Sequence, residues 1–213
     1  MSHELISRLE AHFQLRPSAS GLMLPPDPAD RKFSADGLVH GQPIRQAAVL
    51  VPVFRPQGDQ PAQIMLTLRA AHLRKHAGQV SFPGGASDPE DDGPIGTALR
   101  ETWEETQLPK DAVEVVGTLP GLILPTAFHV TPVVGLIEPG PLPSPSPLEV
   151  AEIFYVPANI LMDPANYRLV SMKIQGRERQ FMEMHYDRYR IWGATAAILH
   201  HLAIQLTPPT ENP

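Results

Sequence analysis

Three glutamates, Glu101, Glu104 and Glu105, stand at spacings i, i+3 and i+4. Each residue of an α-helix advances by about 100°, so the three carboxylates would share one arc of about 100°. Like charges at these spacings repel and weaken a helix. The arrangement makes chemical sense if a cation sits among the carboxylates. Oxygen-only ligands favour Mg²⁺ or Mn²⁺, and both metals handle phosphates. A glycine turn, Gly84-Gly85, and an acidic loop, Asp88 to Asp92, precede the glutamates, and Arg100 opens their run. Further upstream, Arg69, Arg74, Lys75 and His76 form a cationic stretch in a chain whose net charge is −6. Arginine suits two-pronged contacts with phosphate. The same arginines can pair with the acidic loop, and the two roles are compatible.

These residues need a frame. Ala47 to Phe54 is a nearly continuous apolar run and reads as a buried strand. Gln63 to Arg69 alternates as a strand does. Ala112 to Leu119 and Val130 to Ile137 are rich in valine and isoleucine, and Glu152 to Val156, Tyr167 to Ile174 and Gln180 to Tyr186 follow. Helices are expected at the N-terminus, with Leu5, Ile6 and Leu9 on one side, from about Pro94 to Thr106, and from about Ala194 to Leu206. Pro94 suits the first turn of the second helix. On that helix Ile95, Leu99, Thr102, Trp103 and Thr106 read as the buried stripe. Strands before and after one central helix, closed by another, suggest an α/β (α+β) fold with a mixed sheet between helices.

The chain has 213 residues, enough for one domain with a full core. The expected domain is single, spanning 1–213, with an N-terminal extension over 1–35 and a proline-rich loop over 138–148. Negative net charge argues against a sequence-blind grip on nucleic acid. The absence of cysteine excludes disulfides, thiol catalysis and zinc–thiolate sites. The N-terminus has no apolar signal core, and no run approaches the roughly 18 apolar residues that cross a bilayer. A soluble, cytoplasmic protein with no membrane partner is the expectation. The 25 prolines form no repeat, and the cluster Pro139 to Pro147 reads as a loop that cannot enter a sheet interior.

The stretch from Gly85 to Leu108 resembles the Nudix box, G-x5-E-x7-R-E-U-x-E-E-x-G-U, in which U is a bulky apolar residue. Arg100-Glu101 and Glu104-Glu105 match its most diagnostic part. The loop acid here is aspartate, Thr102 takes the first bulky position, and Gln107 replaces the late glycine. One residue is extra: Gly85 counts forward to Asp91, and Arg100 counts back to Asp92, so either aspartate can partner Arg100. Met65 to Gly85 resembles the signature of the family's coenzyme A pyrophosphatase subgroup, L-L-T-x-R-[SA]-x3-R-x3-G-x3-F-P-G-G, with Met65 for the first leucine. Thr131 to Gly135, Glu149-Val150, Val156-Pro157 and Ile191 to Thr195 also resemble subgroup segments, so the likeness runs from about Val51 to Leu202.

The resemblance implies a Nudix fold and a hydrolase that cleaves the pyrophosphate of coenzyme A and its thioesters. The products would be 4′-phosphopantetheine, or its acyl form, and adenosine 3′,5′-bisphosphate. Glu101, Glu104 and Glu105 would hold Mg²⁺ or Mn²⁺, Arg100 would orient the acids, and Gly84 and Gly85 would let the backbone turn beside the metal. Arg69 and Arg74 are the candidate substrate contacts. The base in this family often lies outside the box, which makes Glu149 and Glu152 candidates, with Glu152 preferred as the catalytic residue. Trp192 is a candidate for stacking on adenine or for the core, His72 and His76 for phosphate, and His200 and His201 for packing. Alternatives are a pyrophosphatase for ADP-ribose or another nucleoside diphosphate derivative, and a non-catalytic nucleotide sensor. A homodimer is common in the family, but no interface is legible in these residues.

Overall fold

The apolar run expected as a buried strand lies in the middle of the sheet, with its residues divided between two cores. A strand covered on both faces needs no polar alternation. The computed structural model describes residues 2–19, 21–27, 38–39, 42–73, 76–140, 142–174 and 176–207. The chain begins with α1 (Ser2–Leu15), β1 (Leu38–Val39), β2 (Gln42–Pro43), β3 (Arg45–Phe54), β4 (Gln63–Arg69), β5 (Val80–Ser81) and β6 (Gly84–Ala86). It continues with α2 (Gly93–Thr106), β7 (Val113–Thr118), β8 (Leu122–Ile123), β9 (Phe128–Ile137) and β10 (Val150–Pro157). It closes with α3 (Ala158–Leu161), β11 (Arg168–Ile174), β12 (Arg177–Tyr186), β13 (Tyr189–Trp192) and α4 (Gly193–Leu206).

The main sheet has the order β10-β4-β3-β9-β7, with β5 on β4, β6 on β3 and β8 on β9. β3 and β9 pair in parallel from Arg45↔Phe128 to Phe54↔Ile137. The other pairings in this sheet are antiparallel. On one face, Ala48 and Leu50 of β3, Met65 of β4 and Val133 of β9 form a small core with Ala98 of α2. On the other, Val51, Leu66 and Val134 join a larger core with Ile6, Leu9 and Phe13 of α1, Leu161 of α3 and Leu199 and Leu202 of α4. The fold is therefore a mixed sheet flanked by helices, as the sequence implied. Among the described residues no helix is long and apolar enough to cross a membrane.

The expected strand at Gln63–Arg69 and the second and last expected helices form within a residue of their anticipated ends, and the N-terminal helix extends to Leu15, beyond the expected stretch of residues 1–10. The last strands depart from expectation: β11, β12 and β13 make a separate antiparallel sheet. Met184, Tyr189 and Ile191 of this sheet enter the larger core beside α4. Its other face carries Glu183, which is almost fully buried beneath Arg168, His185 and Arg190. Burial alone would push this carboxyl up, but hydrogen bonds from Arg168, Arg190 and His185 outweigh burial and hold it at about 2.

A depressed folded-state pKa stabilises the fold above the unfolded value of 4.5, and that contribution disappears as pH falls towards 2. Both arginines are exposed enough to rehydrate if the carboxylate is removed. Glu183→Ala should therefore lower stability by about 2 kcal/mol near neutrality. Urea midpoints measured between pH 7 and 2.5 check this, and the gap between wild type and variant should narrow below about pH 4.5.

Candidate active site

α2 presents a buried face made of Thr97, Ala98, Thr102, Glu105 and Thr106. The expected stripe is corrected here. Trp103 is 50% exposed and Ile95 40% exposed. Trp103 lies about 140° around the helix from Ala98 and so faces away from the sheet. Threonine can line the buried face because its hydroxyl is satisfied within the helix. Thr102 Oγ1 donates to the Ala98 carbonyl and Thr106 Oγ1 to the Thr102 carbonyl, both at 2.6 Å. Small side chains bring the helix close to Ala48 and Leu50 of β3.

Glu105 occupies this inner face, with 2% of its surface exposed. Gly84 N–H donates to Glu105 Oε2 at 3.2 Å, and Arg69 Nη1 stands 3.6 Å from Oε1. Burial pushes the Glu105 carboxyl up to about 8 against these two contacts, and the charges of Glu149 and Glu101 add to the rise. Burial also raises Glu101, opposed by Arg100. The proximity of Glu149 to both box glutamates has no counterpart for Glu152.

Arg100 organises the outer part of the site. Its Nε and Nη2 grip Asp91 at 2.8 and 2.9 Å, Nη1 reaches Glu101 at 2.9 Å and Glu104 at 3.3 Å, and Nη2 also meets the Ala86 carbonyl at 3.0 Å. Asp91 is thus the partner of Arg100, and Asp92 caps the helix without a side-chain bond. The Arg100 fork, with the Asp88 N–H and Thr97 hydroxyl, holds Asp91 well below the usual carboxylate range. At the other end of α2, Gln107 adopts φ 54°, the left-handed conformation that glycine takes most cheaply. That geometry accounts for the glycine expected at this position in the box.

The proline-rich loop is fastened to the same helix. Ser144 N–H donates to the Thr106 carbonyl and Ser146 N–H to the Glu105 carbonyl, both at 2.8 Å. Glu149 follows directly, with its own carbonyl bonded to Ala70 N–H at 2.8 Å. His72 Nε2 lies 3.0 Å from the Leu148 carbonyl, which ties the segment after β4 to this loop.

Strand alternation decides which residues see α2. Ile153 and Tyr155 of β10 pack in the core beneath α2, and Phe154 and Val156 in the larger core. Glu152 shares the parity of Phe154 and therefore faces away from the box. Its carboxylate accepts from the Tyr189 hydroxyl and Arg188 Nη2, both at 2.6 Å. These bonds lower its pKa. This geometry sets Glu152, the expected catalytic residue, on the opposite face of the sheet from the glutamates of α2. Arg69 lies on the side of α2, while Arg74 and Lys75 fall outside the described residues. His76 Nδ1 meets Gln79 Oε1 at 2.8 Å, and His200 packs on Tyr167, so neither reaches the glutamates through these contacts.

The NUDIX domain profile matches residues 44–170, more than half of the chain. A relative from Enterobacter sp. (strain 638), named uncharacterized Nudix hydrolase NudL, is 43% identical over 162 residues, covering 76% of this chain and 83% of that protein. One of the same name from Salmonella newport (strain SL254) is 46% identical over the same shares. The chain belongs to the Nudix family. A solved Nudix hydrolase from M. Smegmatis, RenU, aligns at TM-score 0.43 with 25% identity, over 55% of this chain and 72% of that one. Nudix members hydrolyse pyrophosphate linkages and generally use Mg²⁺ or Mn²⁺.

Among the described residues no three carboxylates or imidazoles form a ready cage for a metal ion. The residues nevertheless fit one. The Nudix glutamates offer oxygen donors alone, and Glu105 is a desolvated acid facing a single N–H and a long arginine contact. A cation is the partner that such an ionised group lacks.

The two adjacent glycines Gly84 and Gly85 predict different outcomes. A Cβ on Gly84 would overlap the Ala48 carbonyl and Val49 Cα, at a backbone φ of +150°. The three atoms nearest a Cβ on Gly85 all belong to the Glu101 carboxylate, which can swing aside. Gly84→Ala should therefore destabilise the protein by about 2 kcal/mol. Gly85→Ala should leave the denaturation midpoint close to wild type while displacing Glu101. Urea titrations of both variants rank them.

Proposed function

We propose that the protein is a divalent-metal-dependent pyrophosphatase acting on coenzyme A and its thioesters. The observation that carries this is the meeting of two motifs: Arg69 of the coenzyme A-type signature stands against Glu105 of the box. Gly84, the residue of the signature just before the box begins, donates to the same carboxylate. Substrate-selecting and metal-holding segments thus converge on one carboxylate.

Glu101, Glu104 and Glu105 would hold the metal. Mg²⁺ or Mn²⁺, when bound, screens the charge of the pyrophosphate and lowers the pKa of a bound water. Glu149 accepts the proton as water oxygen bonds to one phosphorus and the bridging P–O bond breaks, leaving both halves as phosphate monoesters. The fastening of residues 144–149 to the end of α2 and to Ala70 supports this role, because it holds Glu149 beside Glu101 and Glu105. Arg69 balances the charge of Glu105. Arg100, locked by Asp91, keeps Glu101 and Glu104 from repelling each other out of place.

Three experiments test this. Purified protein with Mg²⁺ or Mn²⁺ should hydrolyse coenzyme A with a higher kcat/KM than ADP-ribose. A tenfold preference for ADP-ribose, about 1.4 kcal/mol of transition-state binding, would overturn the substrate assignment. Glu149→Gln should lower kcat by about 10²- to 10⁴-fold, whereas Glu152→Gln should leave kcat nearly intact. The reverse ranking would return the base to Glu152. Glu105→Gln should abolish metal-dependent turnover in a folded protein, and near-normal turnover would exclude it as a ligand.

A further inference from the structure

A cleft of about 300 Å³ opens between the segment before β5 and the hairpin β12–β13. Leu68, Gly78, Gln79 and Val80 line one wall, and Arg188, Tyr189, Arg190 and Trp192 the other. The first wall belongs to the coenzyme A-type signature. The second lies beyond residue 170, outside the part of the chain that the Nudix profile matches. The two walls are joined, since the Thr195 hydroxyl just after β13 donates to the Val80 carbonyl at 3.2 Å.

The second wall is built to hold guanidinium groups still. Arg188 lies over the Tyr189 ring at 4.8 Å and Arg190 over the Trp192 ring at 5.1 Å. Each is anchored by a carboxylate, Arg188 by Glu152 and Arg190 by the buried Glu183. Tyr189 is itself stacked on Phe154 at 3.6 Å, and Phe181 meets Trp192 edge-on. Arginine held on an aromatic face keeps part of its fork for a ligand and loses little entropy on binding. The Arg188 side chain remains 65% exposed. Nearby charge is balanced, because Arg168, Arg188 and Arg190 face Glu152, Glu183 and Asp187. Attraction for an anion therefore rests on aimed N–H donors rather than on a net positive field.

The cleft and the glutamates lie on opposite faces of β4 and share its last residues, Leu68 facing the cleft and Arg69 facing Glu105. Arg69 N–H donates to the Gln79 carbonyl at 3.0 Å and Gly78 N–H to the Arg69 carbonyl at 3.1 Å. One strand spacing, about 4.8 Å, thus separates the backbone of Arg69 from the cleft wall. Arg69 itself is engaged by Glu105, which leaves a second phosphate to the exposed part of the Arg188 fork.

We propose that this cleft binds the phosphomonoester-bearing nucleoside end of the substrate, with Arg188 as the specificity-determining contact and Trp192 beside the base. The proposal rests on the pyrophosphatase reading above for the identity of that end, the adenosine 3′,5′-bisphosphate half of coenzyme A.

The chain has two tryptophans, so Trp103→Phe leaves Trp192 as the sole reporter. Titrating this protein, without metal, with adenosine 3′,5′-bisphosphate should change its fluorescence saturably. Adding Arg188→Ala should weaken the titration by about tenfold or more, and Arg188→Lys should restore part of the loss. In turnover, Arg188→Ala should raise KM for coenzyme A with little change in kcat, and should leave dephospho-coenzyme A unaffected. An unchanged titration, or equal losses on both substrates, overturns the cleft assignment. A loss confined to long-chain thioesters also overturns it by putting the acyl arm there. If coenzyme A is not hydrolysed but the Trp192 titration depends on Arg188, the pyrophosphatase reading fails and the cleft stands.

Discussion

Three carboxylates on one arc of a helix repel one another, and the rest of the site is arranged around that repulsion. Arg100 addresses it from the outside, bridging Glu101 and Glu104 while Asp91 clamps its other edge. Glu105 is handled differently. It is turned into the protein, where one N–H and one arginine offset only part of the loss of water. The site is therefore braced on its exposed side and short of positive charge on its buried side. That asymmetry is what a divalent cation would correct.

The sheet beneath α2 acts as a filter. Adjacent residues of β4 and β10 belong to opposite faces, so one position decides whether a side chain meets the glutamates or the other core. Arg69 meets Glu105, while its neighbour Leu68 packs against the larger core and lines the cleft. Glu152 is sent to the cleft side and becomes the anchor of Arg188. The two faces thus divide the work, with charge chemistry under α2 and a guanidinium-lined recess beside β13.

Much of this was legible in the residues, for identifiable reasons. Gln63 to Arg69 alternates well enough to read as a strand, and the helix anticipated from Pro94 to Thr106 begins one residue earlier, at Gly93, whose φ is positive. The glutamate arc follows from helical periodicity alone. Of the expected stripe of α2, Thr102 and Thr106 are buried and Leu99 packs against the core, while Trp103 and Ile95 are exposed, because close approach to Ala48 favours small threonines with internally bonded hydroxyls over bulky side chains. The choice between Asp91 and Asp92 depends on the path of a loop, which spacing does not specify. Glu152 was favoured over Glu149 because a single residue of strand parity, complicated by the irregular register between Val150 and Glu152, reverses its face. β5, β6, β8 and β13 are too short to show a period.

The loop over 138–148 has a consequence of its own. Proline has no amide hydrogen, so in the run Pro143-Ser144-Pro145-Ser146-Pro147 only the serines can donate from the main chain. Those two donors meet two adjacent carbonyls at the end of α2. Both bonds are made by the serine amides and ask nothing of the hydroxyls. Over evolutionary time the serines should be free to drift to many other residues, while the strict alternation of proline with non-proline should not. In this segment heredity would keep a rhythm rather than a set of side chains.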